Sequence, residues 1–180
     1  MDQLEWCLQA YRELLGRNFV LTLEDGEILS ISFQKEHFHH LLGLHKLIDL
    51  DLVNIKRNSA AKIYKSIEKN RIDENYLKKS VRFHMMEKRL QYFPLIRGML
   101  NGQVIIDFDP TALDSTHLNA VEYILFQKVK DGYIHLAFGR QENRTVFPNT
   151  FFFEPGKRYI TGQRILNITE VKVVNFLKRE

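Results

Sequence analysis

The pattern of apolar and polar residues divides the chain into a largely helical first half and a strand-rich last third. Apolar residues recur at spacings of three and four over residues 3–15, which predicts an amphipathic helix that ends at Gly16. Two apolar runs, residues 19–23 and 28–33, flank an Asp-Gly dipeptide. Asp-Gly between strand-like runs indicates a β-hairpin, because both turn positions favour positive φ. The chain therefore begins with a helix followed by a hairpin.

The middle of the chain is predicted to be helical. Residues 36–47 have the apolar spacing of a helix, and residues 59–97 divide into three further helices. Each of these three starts after a short polar residue whose side chain can accept a hydrogen bond from the first helical turn. The three predicted N-caps are Ser59, Asp73 and Ser80.

The last third of the chain changes to strands. Residues 104–108 form one predicted strand, and residues 121–129 and 133–140 form a hairpin around Asp131-Gly132. Two further strands are predicted at residues 147–153 and 165–174. Helices followed by strands favour an α+β fold over parallel βαβ units.

The length of the chain sets its domain organisation. We predict a single domain over residues 1–180, because 180 residues fit one hydrophobic core. The helical and hairpin part would span about 1–100 and the antiparallel sheet part about 101–180.

Composition supports a packed protein and excludes several classes. A hydrophobic fraction of 44%, with 13 Phe and 7 Tyr, is typical of a folded core and argues against disorder. The single cysteine, Cys7, excludes an internal disulfide and a cysteine-based metal site. The acidic N-terminus lacks the basic start of a signal peptide, and no apolar run approaches the ~20 residues of a membrane span. We therefore expect a cytoplasmic protein with no membrane association.

Positive charge is concentrated in the predicted helices. Residues 56–97 contain twelve basic and four acidic residues, a net charge of +8, whereas the whole chain carries +4. This asymmetry is compatible with a surface that binds a polyanion such as RNA, with Lys62 and Lys65 as candidate substrate-binding residues. The alternative is a solvated lysine-rich helical face without a partner.

Potentially reactive side chains are most concentrated in residues 36–47, which contain four of the seven histidines and Lys46. Clustered imidazoles offer proton transfer, metal ligation or phosphate contact. On a continuous helix His40 and His45 would point about 140° apart and would be poor co-ligands. No His-Glu-x-x-His pattern and no glycine-rich phosphate loop is present. We therefore predict no metal and no cofactor, and favour metal-free acid–base chemistry.

Such chemistry is sufficient to cleave RNA, which carries its own nucleophile in the 2′-OH. The reaction needs a base, an acid for the leaving oxygen, and cations for the charge that builds on phosphorus. Arg140 and Thr150 lie on predicted strands with large apolar residues on the same face. Tyr159 and Gln163 lie in a turn between strands, where binding residues often occur.

Three blocks of sequence, residues 38–47, 147–154 and 159–163, carry a resemblance to a known family. They are similar to the phage and mobile-element nucleases of the barnase–EndoU–colicin–RelE-like superfamily (PBECR-type domains). The resemblance implies N-terminal helices and a β-hairpin packed on a C-terminal four-stranded antiparallel sheet. It also implies a metal-independent endoribonuclease.

The same resemblance implies roles for individual residues. His40 and His45 would be the base and the acid, and Lys46 and Arg140 would offset charge on the scissile phosphate. The strand residue assigned to the catalytic set is Thr150, and the turn residues assigned to substrate binding are Tyr159 and Gln163.

The leading hypothesis is a phage or mobile-element ribonuclease that acts on RNA, including tRNA, as a toxin or host-interference factor. An antitoxin or immunity protein would then be a further partner, and the oligomeric state is left open. The main alternative is a non-catalytic RNA- or protein-binding module that uses the basic helices of residues 56–97. A third hypothesis, a histidine-based metalloprotein, predicts stoichiometric zinc or iron in the purified protein.

Overall fold

The computed structural model describes residues 2–140 and 145–176. Most of the strands come from the last third of the chain, as the apolar pattern predicted. The strands are β1 (Arg17–Leu23), β2 (Ile28–Ser32), β3 (Val104–Asp107), β4 (Tyr123–Val129), β5 (Gly132–Arg140), β6 (Val146–Glu154) and β7 (Arg164–Asn175). Both predicted hairpins, β1–β2 and β4–β5, are confirmed with antiparallel pairing.

These strands close into a seven-stranded mixed barrel in the order β1-β2-β6-β5-β4-β3-β7. All the pairs are antiparallel except β2–β6, which is parallel and joined at Ile31 and Val146. The prediction of N-terminal helices and a hairpin packed on a separate C-terminal four-stranded antiparallel sheet is therefore wrong. The N-terminal hairpin is itself part of the barrel wall.

Strand β7 explains why the hairpin joins the barrel. Its first residues, Arg164 to Asn167, pair with β3, and the rest, from Ile168 to Asn175, pairs with β1. An isolated sheet would leave the backbone N–H and C=O groups of its edges without partners. Because the long β7 strand pairs on both sides, it satisfies the edge of the hairpin and the edge of the C-terminal strands together.

The helices lie between the second and third strands, apart from the first. They are α1 (Gln3–Arg12), α2 (His37–Leu42), α3 (Ala60–Glu68), α4 (Glu74–Leu77), α5 (Glu87–Tyr92) and α6 (Ile96–Met99). Helix α1 ends three residues earlier than predicted. No helix in the described ranges is long and apolar enough to cross a membrane.

Two of the three predicted N-caps are confirmed. The Ser59 hydroxyl accepts a hydrogen bond from the Lys62 backbone N–H at 3.3 Å, and the Asp73 carboxylate accepts one from Tyr76 N–H at 2.7 Å. Ser80 does not start a helix: its hydroxyl donates to the Asp49 carboxylate at 2.6 Å. The same hydroxyl accepts a hydrogen bond from the Arg82 backbone N–H at 3.1 Å, but only a 3₁₀ turn follows, over Phe83–Met85, and the third helix begins later, at α5.

The core joins the inner face of the barrel to the helices. Phe151 on β6 packs edge-on against Phe93, with ring centroids 5.5 Å apart, and Phe93 contacts Phe38 of α2 at 5.7 Å. A second, smaller cluster lies on the outer face of β3, β4 and β5. It contains Ile106, Phe108, Leu118, Val121, Ile124, Ala137 and Tyr159. Helix α2 is therefore anchored on the core through Phe38.

Candidate functional site

Gly43 interrupts the histidine-rich segment. Helix α2 ends at this glycine, whose φ is +79°, and a 3₁₀ turn follows over Leu44–Lys46. The predicted continuous helix is therefore wrong, although the apolar spacing persists through Leu44. The chain reversal brings the ring of His45 to 4.9 Å from the ring of His40. The angular separation of 140°, which argued against cooperation between these two histidines, does not apply.

A third histidine completes the cluster. His39 is 1% exposed, and its Nε2 lies 3.0 Å from the Val53 carbonyl oxygen. Since a carbonyl only accepts hydrogen bonds, Nε2 carries the proton, and Nδ1 retains its lone pair. One ring nitrogen from each of His39, His40 and His45 lies within 4.8 Å of the other two. His40 is exposed and His45 is half-buried, so the cluster is open to solvent on one side.

Two cations border the imidazoles. Lys46 follows His45 directly, and the buried guanidinium of Arg89 donates a hydrogen bond to the Leu41 carbonyl oxygen at 3.2 Å. Burial lowers the pKa of Arg89 to about 10, which leaves the group charged at neutral pH. The side chain of Arg89 passes so close to Gly43 that a Cβ there would lie 3.0 Å from Arg89 Cδ. Arg89 therefore fixes the end of α2 as well as adding positive charge.

The histidines of the cluster are neutral at pH 7. Burial is the main cause that lowers the pKa of His39, His40 and His45, and it brings His45 to about 4 with help from the nearby His40 and Arg89. Burial and Arg89 also lower the pKa of Lys46. Neutral imidazoles carry a free lone pair and can accept a proton or bind a metal ion.

Arg140 and Thr150 lie in other surroundings. The Arg140 guanidinium is paired with two carboxylates, Glu27 and Glu122, the latter at 2.7 Å from Nε. Its charge is thus already balanced. Thr150 is half-buried and pairs across the sheet with Ala137, on the outer face of the barrel that Phe152 shares.

Tyr159 and Gln163 have structural contacts. Tyr159 is 4% exposed and belongs to the smaller apolar cluster on the outer face of the barrel. Gln163 holds the backbone of Asp109 from both sides: its Oε1 accepts from Asp109 N–H at 2.8 Å, and its Nε2 donates to Asp109 O at 3.0 Å. Gln163 therefore fixes the backbone at Asp109, and Tyr159 packs within the apolar cluster.

Lys62 and Lys65 lie on α3, the helix that packs beside α2. The Tyr64 ring of α3 contacts Phe38 of α2 edge-on, with centroids 5.4 Å apart. The two lysines line a surface groove of about 300 Å³. The other residues of this basic groove are Asn58, Ser66, Lys69 and Arg71. The structure thus groups His40, His45 and Lys46 at one position and provides a basic surface on the neighbouring helix.

Sequence reasoning gave no role to two residues of the cluster. His39 belongs to the histidine-rich segment, but only its burial and its contact with Val53 distinguish it from its neighbours. Arg89 is one of the twelve basic residues between positions 56 and 97. Nothing in the sequence around Arg89 indicates that its side chain packs behind Gly43. Contacts between residues more than forty positions apart decide the role of Arg89.

The structure therefore combines a mixed barrel with three clustered imidazoles that lie beside two cationic side chains, Lys46 and Arg89. The family model of the phage-Barnase-EndoU-ColicinE5/D-RelE like nuclease 4 group, PBECR4, matches residues 3–180. The chain therefore belongs to this nuclease family, and the resemblance predicted from the three sequence blocks is confirmed. No curated protein and no solved structure matches the chain.

Proposed function

We propose that this nuclease cleaves RNA by attack of the 2′-OH on the adjacent phosphate, with His40 and His45 transferring the protons. The observation that carries the proposal is the pair of imidazoles, 4.9 Å apart and open to solvent, beside Lys46. One histidine accepts the 2′-OH proton, and the other donates a proton to the leaving 5′-oxygen. The products are a 2′,3′-cyclic phosphate and a 5′-OH, and no metal ion is required.

Charge around the pair supports this assignment. Lys46, whose charge acts on His45, would offset negative charge on the phosphate, and the buried Arg89 would add to the positive field while it holds the backbone of α2. An entering phosphate favours the protonated imidazole and opposes the burial that lowers the pKa of His45. Substrate binding would therefore supply the protonated histidine that acts as the acid.

RNA cleavage by wild-type protein and histidine variants in EDTA tests the proposal. Removing one proton-transfer group is expected to lower the rate by about 10²–10⁴-fold in His40→Ala and in His45→Ala. The exposed His84, outside the cluster, provides a matched control in His84→Ala, which is expected to cleave normally. Mass spectrometry should find 2′,3′-cyclic phosphate ends. Intact RNA with wild-type protein, or equal rates in all variants, would contradict the proposal.

The basic groove on α3 favours one alternative, a protein that binds RNA without cleaving it. In that case RNA affinity would respond to Lys62→Ala and Lys65→Ala but not to His45→Ala. A nuclease would instead retain affinity in His45→Ala and lose only the rate. Filter binding and cleavage on the same RNA separate the two functions.

A further inference from the structure

We propose that His39, His40 and His45 bind a divalent transition-metal ion of the zinc class, and that this ion inhibits the nuclease. The three imidazoles come from both sides of the break at Gly43. One nitrogen of each lies within 4.8 Å of the other two. Tetrahedral zinc with Zn–N bonds of 2.0–2.1 Å needs nitrogens about 3.3 Å apart. Metal binding would therefore bring the nitrogens closer together by up to about 1.5 Å.

His39 provides independent support for a ligand site. It is almost completely buried, and its Nδ1 has no hydrogen-bond partner within the described ranges. The Nδ1 of His45 is likewise buried without a partner in this part of the chain. A buried nitrogen with an unused lone pair is costly unless something binds it. A metal ion would satisfy these nitrogens.

The other nitrogen of His39 has the contact expected around a bound metal. Metal-binding histidines usually donate their second ring N–H to a carbonyl or carboxylate, which fixes the orientation of the ring. The Val53 carbonyl occupies this position, 3.0 Å from His39 Nε2. His39 is thus held in one orientation, in which the lone pair of Nδ1 is left to bind the metal ion.

The type of donor indicates the type of ion. Three neutral imidazoles suit zinc, copper, nickel or cobalt, whereas magnesium and calcium prefer oxygen ligands. Three protein ligands leave a fourth coordination position open. The neighbouring charges of Arg89 and Lys46 weaken cation binding and favour an anion or hydroxide at that fourth position.

The ion would inhibit cleavage because it competes for the imidazole lone pairs of His40 and His45. This part of the inference rests on the proposed function. A bound ion occupies the nitrogens that His40 and His45 need for proton transfer. The ion would therefore stop cleavage while the fold remains intact.

Metal binding is tested without any activity measurement. Protein dialysed against EDTA is titrated with Zn²⁺ in a calorimeter, and with Co²⁺ while its visible absorption is recorded. We expect one ion per chain and the intense Co²⁺ bands of a tetrahedral site. His40→Ala removes an exposed ligand without disturbing the core. It is expected to weaken binding at least about 100-fold, since even the outer-shell partners of metal-binding histidines contribute about 10–100-fold.

The exposed His117 provides the matched control, and His117→Ala is expected to bind zinc as the wild type does. Absence of zinc binding, or equal binding by His40→Ala and the wild type, would overturn the metal site.

Inhibition is tested separately by the ratio of cleavage rates in Zn²⁺ and in EDTA. The wild-type ratio should fall by about 10-fold or more when free zinc reaches ten times its Kd. His39→Gln removes a ligand and preserves a donor to Val53, so its ratio should return towards one. Zinc that binds but leaves cleavage unchanged would overturn the inhibition. A protein inactive in EDTA that still binds zinc would instead reject the proposed function and leave the metal site standing.

Discussion

His135 shows how one buried side chain can control stability. It is completely buried on β5, its ring stacks on Phe152 with centroids 4.7 Å apart, and Tyr159 packs edge-on at 5.8 Å. Neither ring nitrogen has a hydrogen-bond partner among the residues described. Burial lowers the pKa of His135 to about 4. The folded protein therefore holds this histidine neutral in an apolar cluster.

This burial predicts a loss of stability in mild acid. In the unfolded chain His135 has the ordinary histidine pKa of 6.5 and binds a proton below about that pH. In the folded protein its pKa is about 4, so it stays neutral until the pH falls that far. The free energy of unfolding should thus fall as the pH drops from about 6.5 to 4, by about 2 kcal/mol between pH 7.5 and 5. Below pH 4 this histidine has no further effect.

Urea unfolding at pH 7.5 and 5 checks this expectation. In His135→Leu the fall in unfolding free energy between pH 7.5 and 5 should be smaller than in the wild type by about 2 kcal/mol, because the titrating imidazole is gone. The other histidines contribute equally in the variant and in the wild type. Equal pH dependence in the two proteins would contradict a neutral buried His135.

At the scale of elements, the break between α2 and the following 3₁₀ turn organises the site. Gly43 adopts a left-handed conformation, and the Arg89 side chain occupies the space where a Cβ would point. A helix that continued past this position would separate His40 and His45. The site thus depends on one glycine and on the arginine behind it.

We expect Gly43→Ala to destabilise the protein by about 1–3 kcal/mol, because an alanine strains the left-handed backbone and meets Arg89. The cleavage rate should also fall, since His45 shifts relative to His40. Thermal unfolding and RNA cleavage measure the two effects.

The matched control is Gly26 in the β1–β2 turn, where φ is +89° and none of the residues that the structure describes lies within 4 Å of the place that a Cβ would take. Gly26→Ala should show only the backbone strain and cleave RNA normally. Equal effects of the two substitutions on cleavage would argue against a role for the break.

At the scale of the whole molecule, the barrel and helix α3 have different roles. The barrel provides the inner surface on which α2 is anchored through Phe38, Phe93 and Phe151. Helix α3 beside it carries the basic groove, so the groove and the histidine cluster occupy neighbouring helices. Under the proposed function, an RNA chain would contact both.

We expect the double substitution Lys62→Ala/Lys65→Ala to raise KM and leave kcat nearly unchanged, because under the proposed function these lysines would contact phosphates away from the reacting bond. The slope of log affinity against log salt should decrease by about 1 for each lysine–phosphate pair that the substitution removes. Affinity measured between 50 and 200 mM salt (roughly the range over which phosphate contacts are resolved) checks the slope.

The control for this prediction is Lys128→Ala/Lys130→Ala on the exposed β4–β5 hairpin, outside the groove. This variant should retain the wild-type KM and salt slope. A similar loss of affinity in both double variants would indicate attraction by overall charge rather than by the groove.

The sequence by itself determined the local elements and the chemistry available to them. The Asp-Gly turns, the caps at Ser59 and Asp73 and most strand positions followed from neighbouring residues, because these signals act within a few positions. The histidine-rich block and two distant blocks also identified the family, which the family model confirms.

Only the tertiary structure decided how these elements meet. The pairing of β1 with β7 joins residues that are distant in the chain, such as Arg17 and Asn175, which are about 160 positions apart. The apolar pattern shows which face of an element is buried but not which element covers it, and so the barrel was missed. The same is true of the site. The break at Gly43 could not be predicted from the apolar pattern, because Leu44 still has the spacing of a helix. Arg89, from a different helix, determines where the histidines of that segment lie.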